Sequence, residues 1–142
     1  MKTSYYKVTK QNIPGAICIS RSKPRYTKYP MYKALAPGPW FRTATIEEYV
    51  PLYQQILRQL NPRKVWDELH QLAQKQAVEL AGLAEAEAAR VEPILLCYEL
   101  PGEFCHRRLA AEWLEAELGV AIPEGTFQAN ASTKQLSLLS AD

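Results

Sequence analysis

A chain of 142 residues with 47% hydrophobic side chains is long enough to bury one core of its own and has the size of one ordinary domain. No stretch reaches the ~18 uncharged apolar residues of a membrane span, and the opening MKTSYYKVTKQNIPG has no apolar signal-peptide centre. Three cysteines fit a reducing compartment better than a secreted disulfide framework, so a single-domain cytoplasmic protein with no membrane partner is expected.

The net charge of +2 conceals an asymmetry. Met1 to Ile46 carries nine basic residues and no Asp or Glu, leaving eight basic and all fifteen acidic residues to the remainder. Five tyrosines, Trp40 and Phe41, half of the 14 aromatics, share that basic section. Basic side chains interleaved with aromatics suit phosphate contacts and base stacking. They equally suit a loop whose tyrosines cover a core edge.

Asn12-Ile13-Pro14-Gly15 is a turn signal, and Ala16 to Ser20 follows as a short apolar strand ending at Arg21. Residues 22–45 form a long basic loop rich in proline and aromatics; Pro24, Pro30, Pro37 and Pro39 exclude a long helix or a central strand. Thr45 reads as the N-cap of a helix with Glu47 and Glu48 in its first turn. Asn61-Pro62 starts a second helix, expected to run to about Ala89 with Gly82 as a possible break. Pro93 to Tyr98 is a continuous apolar strand. A further helix spans about Cys105 to Leu118, with Leu109, Trp113 and Leu114 inward and Gly119 as its C-terminal cap. Residues 124–142 read as a C-terminal tail, with a last strand possible at 136–139. Apolar strands alternating with helices define the α/β class, with a mostly parallel sheet flanked by helices.

Ligands of such sheets sit beyond the carboxyl ends of the strands. Two strands end here in polar chemistry, at Ser20-Arg21 and at Cys97-Tyr98-Glu99. Cys105-His106-Arg107 opens the following helix, where unpaired N–H groups and the positive dipole end gather. A thiol there should ionise below its ordinary pKa of about 8.5 and act as nucleophile, redox centre or metal ligand. The same geometry cradles a phosphate, with Arg107 and Arg108 as clamps. Cys97, inside Ile94-Leu95-Leu96, reads as an inert core thiol. Without a CxxC or HxxxH pair, and with a spacing of eight from Cys97 to Cys105, no metal is expected. No nucleotide-cradle, metalloprotease or serine-hydrolase motif occurs.

The stretch LLCYELPGEFCHRRLAAEWL resembles the signature of domain-of-unknown-function family 488 of bacterial and phage proteins. In that family a strand ends in Cys-x-Glu and a Cys-His-Arg opens the next helix; Cys97, Glu99, Cys105, His106 and Arg107 match. Arg21 and Pro24 resemble part of the family's second mark, an Asp-Val-Arg near a proline, whereas Ile19 and Ser20 stand where Asp-Val would be. The resemblance implies a compact α/β fold with Arg21, Glu99, Cys105, His106 and Arg107 converging at one end of the sheet. It implies no particular reaction and no cofactor.

The expectation is therefore a protein acting on a phosphate-bearing ligand, a nucleotide or a nucleic acid. Arg21, Arg107, Arg108 and Arg25 would meet the anion, Cys105 would be nucleophile or redox thiol, and His106 and Glu99 would be acid/base groups. The alternative is a non-catalytic nucleic-acid-binding protein using the basic aromatic section. A third possibility is an interaction protein presenting acidic helices.

Overall fold

The computed structural model describes residues 1–125. Three parallel strands, β1 (Lys2–Tyr5), β2 (Ala16–Cys18) and β3 (Ile94–Cys97), form one sheet in the order β1-β3-β2. The helices are α1 (Ile46–Arg58), α2 (Pro62–Glu79), α3 (Glu85–Ala88) and α4 (His106–Leu118). This is the α/β order expected of the sequence.

Central β3 is buried along its whole length, which explains its unbroken apolar run. The side chains alternate between two faces. Ile17, Ile19 and Leu95 pack against Tyr53 and Leu57 of α1, Leu69 of α2 and Leu114 of α4. Ala16, Cys18, Ile94 and Leu96 face the other way, onto Tyr6 and Tyr29. The helices thus gather on one face, and tyrosines from the N-terminal half cover the second.

Residues 22–45 accordingly pack as part of the body. The Tyr29 hydroxyl donates to the Thr9 carbonyl at 2.7 Å and accepts from the Ile13 amide at 2.8 Å, so this aromatic is spent in the core. Backbone bonds on either side of Met31 cover the free edge of β2: Cys18 N–H donates to Pro30 O, and Tyr32 N–H to Cys18 O, both at 2.8 Å.

Strand β1 is the element that the sequence pattern conceals. Thr3 and Ser4 are polar yet fully buried, so no apolar alternation marks them. Their outer edge is paired with the segment after α4, Thr3 N–H donating to Pro123 O at 3.0 Å. Glu124 bridges to Thr3, so the first two residues of the expected tail belong to the fold; residues 126–142, with the possible strand at 136–139, lie outside the described residues.

The helix limits follow local chemistry. Thr45 and Glu48 form a reciprocal capping box at α1, and the Asn61 side chain caps α2 before Pro62. The expected second helix stops short, at Glu79, and α3 is separate beyond Gly82 at φ +75°. In α4 the buried stripe is Ala110, Ala111 and Leu114, with Leu109 and Trp113 only half-buried at its margins. Gly119 ends it at φ +67° as expected.

Gly15 immediately precedes β2 at φ +91°, and a Cβ there would stand 2.4 Å from the Glu92 carbonyl oxygen. Its N–H donates to Gln76 Oε1 at 2.7 Å, which ties β2 to α2. Gly15→Ala should lower stability in urea unfolding by more than the ~1–3 kcal/mol of an unfavourable backbone conformation alone. Gly82→Ala, at φ +75° with open space around it, should lose only that conformational part.

Candidate functional site

The carboxyl ends of β2 and β3 meet the N-terminus of α4 around a cavity of about 190 Å³. Arg21, Cys97, Glu99, Cys105 and His106 all line it, with apolar walls from Phe41, Tyr49 and Phe104. The polar strand ends that stand 78 residues apart in the chain, Arg21 and Glu99, are brought to one place.

Cys105 is the N-cap of α4 and not a residue of its first turn; its sulfur accepts from the Arg107 amide at 3.5 Å. It is bonded to Cys97, the last residue of β3. This revises two expectations. Cys97 is not an isolated core thiol, and in this state Cys105 has no thiol to ionise. They stand eight positions apart in the chain, yet strand end and helix start face each other across one turn.

His106 is buried under the sulfurs, and its ring stands edge-on to Tyr53 at 5.4 Å. Its Nε2 is 2.7 Å from the Ile19 carbonyl oxygen. A carbonyl only accepts, so Nε2 carries the hydrogen and Nδ1 presents its lone pair, 3.9 Å from Cys105 Sγ. Burial, reinforced by the charge of Arg107 and opposed by the bond to Ile19, lowers its pKa to about 4, so the ring is neutral at pH 7. Across the cavity, burial and the nearby charge of Glu99 push the Tyr49 hydroxyl well above its ordinary range.

Arg107 does not reach into the cavity. Its guanidinium is buried behind the sulfurs and held by Glu124, Nε donating to Oε1 at 3.1 Å and Nη2 to Oε2 at 2.7 Å. Nη1 donates to Cys97 Sγ at 3.0 Å and to the Glu99 carbonyl at 2.7 Å. Arg108 points to the far side of α4, where Nη1 donates to Thr3 Oγ1 at 2.8 Å and Ile122 O at 2.9 Å. Neither arginine lines the cavity: Arg107 is held by Glu124, Cys97 and the Glu99 carbonyl, and Nη1 of Arg108 joins α4 to β1 and the segment after α4. Arg25 is exposed and does not line the cavity. Arg21 does line it, with Nη1 on the Pro37 carbonyl at 3.0 Å and its guanidinium over the Phe41 ring.

Glu124 was invisible as a site residue because it lies 17 positions beyond Arg107, in apparent tail. The only signal was the surplus of arginine at the start of α4, which a buried position obliges some acid to balance.

Fold and site together define a small α/β protein with a cysteine-, histidine- and arginine-lined cavity at the carboxyl end of a parallel sheet. No protein-family model, curated protein or solved structure matches the chain.

Burial raises the Glu124 carboxyl, but bonds from Arg107 and Thr3 and the two arginine charges outweigh it, leaving the pKa below the ordinary 4.5. A depressed carboxylate stabilises the fold fully above its unfolded pKa and loses that contribution as pH falls through the folded one. Glu124→Gln should therefore cost about 2–3 kcal/mol at pH 7, below the ~3–5 kcal/mol of a fully buried pair. In chemical denaturation the gap between variant and parent should narrow progressively once the pH drops below the ordinary carboxylate range.

Proposed function

We propose that this protein is a small redox-active α/β protein whose cavity receives a small anionic ligand, phosphate-bearing or carboxylate-bearing, beside the Cys97–Cys105 pair. The observation that carries this reading is the shared cavity of Arg21 and the two sulfurs. Its volume, about 190 Å³, is below the ~300–1,000 Å³ of sites for drug-sized ligands, so it suits a small molecule or the tip of a larger one. Phe41, Tyr49 and Phe104 offer an apolar wall for its body. Arg21 spends one donor on Pro37 and keeps others for an anion.

The reaction that fits is thiol–disulfide exchange. The thiolate of the ligand attacks Cys105 Sγ, and a ligand–Cys105 disulfide forms. The Cys97–Cys105 bond breaks, and its electron pair leaves on Cys97. The guanidinium of Arg107, 3.0 Å away, stabilises that leaving thiolate, and a better-stabilised leaving sulfur departs faster. A second ligand thiolate then displaces Cys105, so two thiols become one disulfide and the pair becomes a dithiol. In the reducing compartment expected from the sequence, a disulfide is more often reactive than structural.

The resemblance to domain-of-unknown-function family 488 points to the same end of the sheet and is part of this proposal. Nucleic-acid binding has less behind it, since Tyr6 and Tyr29 are buried and Tyr26 is the strongly exposed aromatic of the basic section.

Incubation of the oxidised protein with a small phosphate- or carboxylate-bearing thiol, in the presence of a chelator, tests the reading. After rapid acid quench and alkylation of free thiols, peptide mass spectrometry should find the mixed disulfide on Cys105 of the parent chain, and Arg21→Ala should slow exchange by roughly tenfold or more, about the ~1.5 kcal/mol of one charge-assisted contact. An adduct confined to Cys97, or equal rates with a neutral thiol and an acidic one, would sink it.

A further inference from the structure

Cys97, Cys105 and His106 each offer one buried donor atom, and the three atoms lie within 4.8 Å of one another. The sequence spacing does not show this, because the donors sit on a strand end and a helix start rather than on one knuckle. His106 has the disposition of a metal-ligating imidazole. Its Nε2–H is anchored on the Ile19 carbonyl at 2.7 Å, which fixes the ring and leaves Nδ1 as the donor on the sulfur side. Two further groups are placed to support thiolate charge: Arg107 Nη1 at Cys97 Sγ and the Arg107 amide at Cys105 Sγ.

The Cα atoms of Cys97 and Cys105 are 7.5 Å apart, beyond the ~4.4–6.8 Å across most disulfides. In a tetrahedral site with Zn–S bonds of ~2.3 Å the two sulfurs would separate to about 3.8 Å, which this wider backbone spacing accommodates. All three residues line the cavity, which Glu99 and Arg21 also line, so a fourth position would open into it. Two thiolates with one imidazole form a soft-to-borderline donor set suited to Zn²⁺. Three protein donors with one open position is the pattern of reactive rather than purely structural zinc sites.

We infer that reduction of the Cys97–Cys105 pair turns it, together with His106, into a three-donor site for a thiophilic divalent cation such as Zn²⁺, with the fourth position open to the cavity. With a phosphine as reductant, the S–S bond breaks, phosphorus is oxidised to the phosphine oxide with oxygen from water, and two thiols result. Cation binding then releases the two thiol protons to solvent. The inference goes beyond disulfide exchange and does not depend on it. Sulfurs joined to each other cannot hold the ion, and sulfurs holding the ion cannot be joined, so the site would be gated by redox state.

The test is a titration of the full chain with Co²⁺, after phosphine reduction and removal of the reductant under anaerobic conditions. One ion per chain is expected, with thiolate-to-cobalt charge-transfer bands and tetrahedral ligand-field bands that Zn²⁺ abolishes; the oxidised chain should give neither. Cys97→Ser should weaken binding by more than the ~10–100-fold typical of losing an outer-shell partner. His106→Gln should do the same, and Cys18→Ser should change nothing. Circular dichroism establishes that each variant is folded. If His106→Gln does not fold, the two cysteine variants still decide, since Cys97→Ser and Cys105→Ser must each weaken binding and diminish the thiolate bands, and the double variant must abolish them. Absence of the bands in the reduced parent, equal bands in the oxidised chain, or undiminished binding in Cys97→Ser would each overturn the site. The exchange experiment runs under chelator, so its outcome stands or falls separately.

Discussion

The buried guanidinium of Arg107 is the constraint from which the geometry of this site follows. A cation at 1% exposure has to be met on every side, because an unpaired buried charge costs several kcal/mol. Nε and Nη2 form a two-pronged pair with Glu124, and Nη1 is divided between the Cys97 sulfur and the Glu99 carbonyl. Glu124 also accepts from Thr3 Oγ1, which in turn accepts from Arg108. One ion pair therefore locks the end of β3, the start of α4, the segment after α4 and the edge strand β1 together. The same arrangement keeps Arg107 out of the cavity and sets its charge beside the Cys97 sulfur.

The sheet supplies the second half of the geometry. Because β2 and β3 run parallel, their carboxyl ends emerge on the same side, and α4 begins there after a turn of a few residues. Ile19 continues β2 by donating its N–H to Leu96 O at 3.0 Å, and its own carbonyl then meets His106 Nε2. The tautomer of the histidine is thus dictated by strand pairing: the carbonyl that follows β2 accepts from the ring, and the free lone pair is left facing the sulfur.

Much of this was legible where the determinant is local. Thr45 with Glu48, Asn61 with Pro62, and Gly119 mark helix ends by their own chemistry. The cluster Cys105-His106-Arg107 announced a helix start at a strand-end site, and Arg21 with Glu99 was placed at the same end by the parallel-sheet rule alone. The misses share a cause, which is dependence on partners distant in the chain. Thr3 and Ser4 carry no apolar alternation that would mark a strand, and Thr3 becomes a strand residue through partners more than 90 positions away. Cys97 read as inert because its neighbours are apolar, whereas its character comes from Cys105 and Arg107 across the turn. Arg107 and Arg108 read as free anion clamps because nothing within several residues shows that Glu124 and Thr3 will occupy them.

The proline-rich loop then takes on a specific role in the site. Apart from exposed Tyr26, its aromatics are buried or half-buried. Tyr29 closes the second face of the sheet, Tyr53 of α1 donates to the Leu35 carbonyl at 2.7 Å, and Phe41 lies under Arg21 and Arg42. Prolines fix the path between these anchors by restricting the backbone in the unfolded chain as much as in the folded one. Pro37 offers the carbonyl on which Arg21 rests. The wall that carries the cavity's cationic donor is accordingly built by the loop, whereas the wall that carries its sulfurs is built by β3 and α4. A ligand bridging Arg21 and Cys105 would span both walls, and its binding would depend on the docking of residues 22–45 against the sheet as much as on the sulfur chemistry itself.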